Sequence, residues 1–182
     1  MNNNFENISF SKSELTDKEF ENCKFTNCTF EDLSFLSFLE CKFIGCDLSN
    51  TKVLDTSFKE VTFIDCKLLG LQFNNCNQLL LSFSFDNCKL NLASFYKLNL
   101  KNTNFINCNL TETDFAESDL RNAEFNNCEL SGAIFENTNL ENADFTSALN
   151  YSIDPELNKI KKTKFSLNGI SGLLEKYNII IE

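Results

Sequence analysis

"TNFINCNLTETDFAESDLRNAEF", residues 103–125, puts a large apolar residue at every fifth position: Phe105, Leu110, Phe115, Leu120 and Phe125. Neither regular period gives that spacing. A helix turns once in about 3.6 residues and would scatter these side chains around its axis, while a strand alternates them between two faces. A period of five requires the backbone to turn once per unit. The same phase takes in Phe85, Leu90, Phe95 and Leu100 upstream, and Leu130, Phe135, Leu140 and Phe145 downstream. It also runs from Phe5 through Phe10, Leu15, Phe20, Phe25 and Phe30 to Phe35, and a shifted phase covers Phe43, Leu48, Val53, Phe58, Phe63, Leu68 and Phe73. The two slips, between Phe35 and Phe43 and between Phe73 and Phe85, are short and apolar. They predict altered turns or bulges, not long loops.

The residue two before each centre is often small: Ala93, Thr113, Ser118, Ala123, Ala133, Thr138 and Ala143. The other positions are mostly polar. Each unit therefore points one large and one small residue inward and shows the rest to water. Bulky Leu98 takes a small position, which predicts local distortion.

The units "TDFAE" (113–117), "SDLRN" (118–122), "AIFEN" (133–137), "TNLEN" (138–142) and "ADFTS" (143–147) resemble the pentapeptide-repeat consensus, small-(Asp/Asn)-(Leu/Phe)-x-x. The resemblance covers roughly residues 5–149. It implies an all-β solenoid, a right-handed quadrilateral β-helix with about twenty residues per coil. On that geometry residues 1–149 form the repeat domain, with room for about seven coils, and residues 150–182 a C-terminal cap with a short helix and an apolar tail. Phe85, Phe105, Phe125 and Phe145 then stack as one inward ladder, and Phe95, Phe115 and Phe135 as a second. Leu90, Leu110 and Leu130 make a third, and Leu100, Leu120 and Leu140 a fourth.

Nine cysteines and no histidine restrict the chemistry. Cys23, Cys28, Cys41, Cys46, Cys66, Cys88, Cys108 and Cys128 all fall two before a centre, as does Cys76 if Gln78 is its centre. In "NCKFTNCTFEDLSF" (22–35) the five-residue gap between Cys23 and Cys28 is one side of the square, with Leu33 next in the small series and Phe25, Phe30 and Phe35 in the large one. Free cysteine is a common buried small residue. Thiols one coil apart are within the Cα range of a disulfide, but parallel side chains on one wall suit it poorly. A tetrahedral thiolate site needs converging ligands. The cysteines read as packing residues, and no metal or cofactor is expected.

Lack of histidine removes Ser-His-Asp and Cys-His catalysis. The five glycines, at 45, 70, 132, 169 and 172, make no phosphate loop. The carboxylates lie at outward repeat positions, so no enzyme is expected. No apolar run approaches the ~20 residues of a membrane span, and Met1-Asn2-Asn3-Asn4 lacks the features of a signal peptide. With an odd number of cysteines, a reducing cytoplasm is the expected compartment.

The net charge of −10 is uneven: −3 over residues 1–101, −8 over 102–148 and +1 over 149–182. An acidic rod does not attract nucleic acid, which requires Lys and Arg; it suits a protein with a basic groove. The chain looks most like the quinolone-resistance branch of the pentapeptide-repeat proteins. That resemblance implies an acidic, dimeric rod that mimics B-form DNA and engages type II topoisomerases, chiefly DNA gyrase. The partner surface would comprise Glu112, Asp114, Glu117, Asp119, Glu124, Glu129, Glu136, Glu141 and Asp144, spread around the rod, with five acids and no base on the walls centred on Leu110/Leu130 and Phe115/Phe135. After Ala148 the repeat stops, and Pro155, the single proline, follows. Ile170, Leu173, Leu174 and Tyr177 have the spacing of one helix face, and Ile179-Ile180-Ile181 is a strand-like run. Ile170, Leu173, Leu174, Tyr177, Ile179 and Ile181 are the expected homodimer interface. Drug-protecting members carry long projecting loops, which the short breaks here do not supply, so gyrase binding or inhibition fits better than strong protection. The alternative is a structural scaffold for another protein partner, since the fold alone dictates no activity.

Overall fold

The computed structural model describes residues 3–11 and 18–180; Leu15 and Ile181 lie outside them. The chain winds as a parallel β-solenoid of about eight turns with almost no helix. Its first wall is a nine-stranded parallel sheet, Asn4–Glu6, Lys24–Thr26, Lys42–Ile44, Val61–Ile64, Phe83–Asp86, Asn104–Ile106, Glu124–Asn126, Asp144–Phe145 and Lys164–Phe165. The other walls are held by shorter strands and isolated parallel bridges, such as Asn109↔Glu129, Asp114↔Ile134 and Asp119↔Asn139.

The inward residues explain the winding. Phe5, Phe25, Phe43, Phe63, Phe85, Phe105, Phe125, Phe145 and Phe165 form a continuous stack on the first wall, with ring centroids 4.5–5.6 Å apart. On the third wall Phe73, Phe95, Phe115 and Phe135 stack at 4.7–5.3 Å. The two stacks meet edge-on, as in the Phe105–Phe115 pair at 5.8 Å and 82°. Rings thus lie offset-parallel along the axis and T-shaped across it, both favoured by the ring quadrupole. Leu48, Leu68, Leu90, Leu110 and Leu130 fill the second wall, and Leu100, Leu120 and Leu140 the fourth, all at most 1% exposed. The four expected ladders are all present. The first continues one turn beyond Phe145, because Phe145 pairs with Phe165 in register.

Corners are made largely without glycine. The residue two after most centres has positive φ: Asn27 (52°), Asn107 (53°), Asn122 (57°) and Asn127 (53°) are examples. Asparagine tolerates this left-handed region better than most residues. Many corners are closed by a hydrogen bond from the small residue to the preceding centre, as in Thr113 N–H to Leu110 C=O at 3.1 Å and Ala123 N–H to Leu120 C=O at 3.0 Å. Asn122 also donates to Asn102, and Asn127 to Asn107, one coil below.

The two breaks are two-residue adjustments. Phe25 pairs with Phe43, a coil of eighteen residues, and Phe63 with Phe85, a coil of twenty-two. In the short coil the unit after Phe30 shrinks, and Leu33 takes the large inward position. Its carbonyl accepts from the Thr56 hydroxyl at 2.9 Å, and Leu36 N–H closes the corner onto it at 3.1 Å. Leu33 is therefore not in the small series, and Phe35 does not point inward: it sits at a corner with φ 67° and is 58% exposed. Leu33, Phe35, Leu36 and Phe38 are all apolar, so pattern alone cannot choose among phases. In the long coil the two extra residues lie between Cys76 and Phe83, leaving Leu79 and Leu80 exposed. Leu98 is buried between intact rungs, with Asp119 N–H donating to its carbonyl at 2.9 Å, so no distortion occurs there.

All nine cysteines are free, buried and in the small positions. Several of their thiols donate to the carbonyl of the centre one coil below: Cys66 to Phe43 at 3.3 Å, Cys88 to Phe63 at 3.4 Å and Cys128 to Phe105 at 3.3 Å. Threonines in the same position donate identically, Thr51 to Phe30 at 2.8 Å and Thr113 to Leu90 at 2.9 Å. Burial pushes the Cys41 thiol up to about 11 and raises that of Cys76 as well.

Phe105→Ala removes a ring from the middle of the longest stack and should cost about 3–5 kcal/mol in urea unfolding, whereas Cys23→Ala or Cys28→Ala should leave the midpoint nearly unchanged. The raised Cys41 pKa makes stability independent of this thiol below about pH 9, the unfolded value, and lowers it as pH rises toward about 11, because only the unfolded chain releases the proton there. The urea midpoint should thus drop between pH 8 and pH 10.5, and less so in Cys41→Ala. An equal drop in both would remove Cys41 as a cause.

Candidate protein-binding surface

The nine carboxylates of residues 102–148 occupy outward positions on all four walls. Glu112, Glu117, Glu124 and Glu136 are exposed, and Asp114, Asp119, Glu129, Glu141 and Asp144 half-buried. Coil stacking, which brings together residues about twenty apart, neutralises some of them. Asp119 binds Arg121 at 2.7 Å and Lys101 at 3.3 Å. The Arg121 guanidinium holds the Asp119 carboxyl below its usual range. Glu117 faces Lys97 at 3.3 Å and accepts from the Tyr96 hydroxyl at 2.9 Å. Asp144 pairs with Lys164 at 2.9 Å, which relieves its register against Glu124.

Glu112, Asp114, Glu124, Glu129, Glu136 and Glu141 have no ion pair among the described residues. Four of them, Glu112, Asp114, Glu129 and Glu136, lie on or at the corners of the adjoining second and third walls. Partial burial works against ionisation of Glu129. Hydrogen bonds from Ser131 at 2.6 Å and Asn150 at 2.8 Å outweigh it and keep the carboxyl below its usual range. The fourth wall differs: Lys101, Arg121, Lys159, Lys161 and Lys162 gather there. The unpaired negative charge is therefore weighted to the second and third walls, the two that the sequence leaves without a base over residues 102–148.

The C-terminal segment folds onto the last coil as two 3-10 turns, Ile170–Leu173 and Glu175–Tyr177, not as an α-helix. Lys176 bridges Asp154 at 2.6 Å and Glu156 at 2.8 Å, and Ile153 N–H donates to the Gly172 carbonyl at 2.9 Å. Gly169 and Gly172 pack so closely on Tyr151 that a Cβ at either would collide with it. The two glycines carried no such signal in the sequence. Of the expected interface residues, Leu173 and Leu174 are half-buried, and Leu173 packs on the core. Ile170, Tyr177 and Ile179 are exposed. Leu157 and Leu167, which periodicity did not single out, add exposed apolar surface at the same end. Among the described residues no three His, Cys, Asp or Glu side chains converge as a metal site, and no helix is long and apolar enough to cross a membrane.

Comparison with known proteins agrees with this architecture. No match is found among curated proteins. Two trypsin-treated variants of QnrB1, a plasmid-mediated fluoroquinolone resistance protein, have similar structures, with TM-scores of 0.52 and 0.51. Each is 22% identical, over 98% of this chain and 97% of the other. HetL, a pentapeptide repeat protein involved in heterocyst differentiation regulation from the cyanobacterium Nostoc sp. strain PCC 7120, aligns over 91% of this chain and 85% of its own at 16% identity, with a TM-score of 0.49. At such identities the likeness concerns the fold. The model of the pentapeptide repeat region matches residues 36–105, 79–152 and 99–173, overlapping spans that follow the stacked coils. The right-handed β-helix seen here is the fold of that family, and the chain belongs to the pentapeptide-repeat proteins.

Proposed function

We propose that the chain is a non-catalytic, cytoplasmic binding protein, a rod-shaped DNA mimic that engages DNA gyrase or a related type II topoisomerase and modulates quinolone susceptibility. The observation that carries this reading is the end-to-end structural likeness to a fluoroquinolone resistance protein, 98% of one chain against 97% of the other. The net charge of −10 and the six carboxylates without internal ion pairs support it, because a basic DNA-binding groove attracts such a surface. The exposed apolar end, with Ile170, Tyr177 and Ile179 beside Leu157 and Leu167, is where two copies would join in a homodimer. Both repeat breaks amount to two residues, which favours binding or inhibition of the enzyme over drug protection.

Gyrase supercoiling assays with micromolar protein test the reading. Inhibition or protection should appear with the wild type and weaken at least tenfold when Glu112, Asp114, Glu129 and Glu136 are all changed to Lys. Loss should be much smaller for Asp119→Asn, whose charge is already neutralised. Failure of the wild type both to alter supercoiling and to capture gyrase in a pull-down would leave the scaffold reading, with a different partner. For the dimer, Ile170→Glu with Ile179→Glu should halve the mass measured by light scattering; an unchanged mass would place the interface elsewhere.

A further inference from the structure

Six of the nine cysteines form one unbroken column. Cys28, Cys46, Cys66, Cys88, Cys108 and Cys128 hold the small position of the second wall in successive coils. The bridges Thr29↔Asp47, Asp47↔Lys67, Lys67↔Lys89, Lys89↔Asn109 and Asn109↔Glu129 fix this register, since each bridging residue directly follows its cysteine. None of the six is more than 2% exposed. From Cys46 to Cys128 each thiol interacts with the next one along the axis. The backbone N–H of Cys28 reaches the Cys46 sulfur at 3.4 Å, a donor that favours a thiolate.

Packing does not demand sulfur here. Ala148 continues the same column, and Ala93, Ala123, Ala133 and Ala143 fill the small position on other walls. Threonine supplies the same donation to the coil below. A run of six thiols therefore adds a chemistry that alanine and threonine lack. Soft thiolate sulfur favours Cu(I), zinc and iron–sulfur clusters over harder cations. Among the described residues no three His, Cys, Asp or Glu side chains converge, so the tetrahedral arrangement that zinc adopts is not offered. What the column offers is consecutive sulfurs in register along the axis, enclosed from water, with backbone carbonyls as their other near neighbours.

We propose that this column is a binding site for soft monovalent metal ions, Cu(I) and its analogue Ag(I), each held linearly between sulfurs of successive coils. Two thiols and one ion give a metal bis-thiolate and two protons; no electron is transferred. An isolated pair would carry one net negative charge, and sharing thiolates between consecutive ions spreads that charge along the column. Uptake is accordingly favoured by higher pH. Since the sulfurs are enclosed, ions enter as coils open or as the chain folds.

The probe is Ag(I) alone, which avoids copper redox chemistry, added during refolding of the reduced full-length protein. Bound metal after desalting, thiolate-to-metal absorbance in the near ultraviolet and Tm are the readouts. Two triple variants remove the same number of thiols. Cys46→Ala/Cys88→Ala/Cys128→Ala leaves the column's remaining sulfurs two coils apart, whereas Cys23→Ala/Cys41→Ala/Cys76→Ala leaves it whole. The second should keep wild-type column uptake and the rise in Tm. The first should fall to about one ion, held by the Cys23–Cys41 pair on the first wall. Circular dichroism without metal checks that both variants fold. If the first does not, Cys66→Ala/Cys108→Ala, which leaves Cys28–Cys46 as the column's adjacent pair, should show uptake reduced in proportion. Equal uptake by both triple variants, or no retained Ag(I) in the wild type, would overturn the proposal.

Discussion

Every turn of this rod must come back into register with the turn below it. A parallel coil gains its backbone hydrogen bonds only if each turn returns the chain to the same place over the turn below. Phenylalanine enforces that return: a ring displaced by one residue would lose both its stacked neighbours along the axis and its edge-on partners across it. Phe105, with Phe85 at 5.2 Å and Phe125 at 5.0 Å, and Phe95 and Phe115 both edge-on, shows how many contacts one position fixes. The spacing of five is therefore less a turn propensity than a register device. The chain can lose or gain two residues per coil, as after Phe30 and before Phe83, provided the rings return to stack.

That constraint explains which parts of the fold were legible in the sequence. Wherever Phe and Leu alternate at strict fives, from Phe85 to Phe145, the inward ladders follow directly, because a misphased strand would turn every large side chain into water. At Leu33, Phe35, Leu36 and Phe38 several phases bury an apolar residue, and the choice falls to tertiary hydrogen bonds such as Thr56 to Leu33. The last turn, to Phe165, was hidden because its pentapeptides are spelled differently: Tyr151, Ile153 and Asn158 take inward places. The segment 170–177 has helical spacing, yet it folds as 3-10 turns. Gly169 and Gly172 are held against Tyr151, and Lys176 is drawn to Asp154 and Glu156.

The surface was less legible because its electrostatics come from residues about twenty apart. Composition counts nine acids against one base over residues 102–148. Stacking brings Lys97 to Glu117, and Lys164 to Asp144, from outside that stretch. What remains unpaired is a subset weighted to two adjoining walls, while the fourth wall carries lysine and arginine. A partner that reads the rod by charge would thus meet a sided object. Exposed pairs of this kind contribute little to stability, typically below about 1 kcal/mol, so their arrangement is free to serve recognition.

The interior and the exterior obey different rules for the same reason. Inside, the small position accepts Ala, Thr, Ser or Cys with little change in geometry, because each either fits or donates to the carbonyl one coil below. Sequence can drift there without disturbing the rod, and a column of sulfur can accumulate at no cost in packing. Outside, the corner residue must tolerate positive φ, and asparagine meets that need while its amide joins the coil below, as Asn122 does with Asn102. Asparagine stands in for glycine at those corners. A glycine would relax the turn and forfeit the amide link, and where glycine does occur, at Gly45, the side chain of Asn27 occupies the space that a Cβ would need.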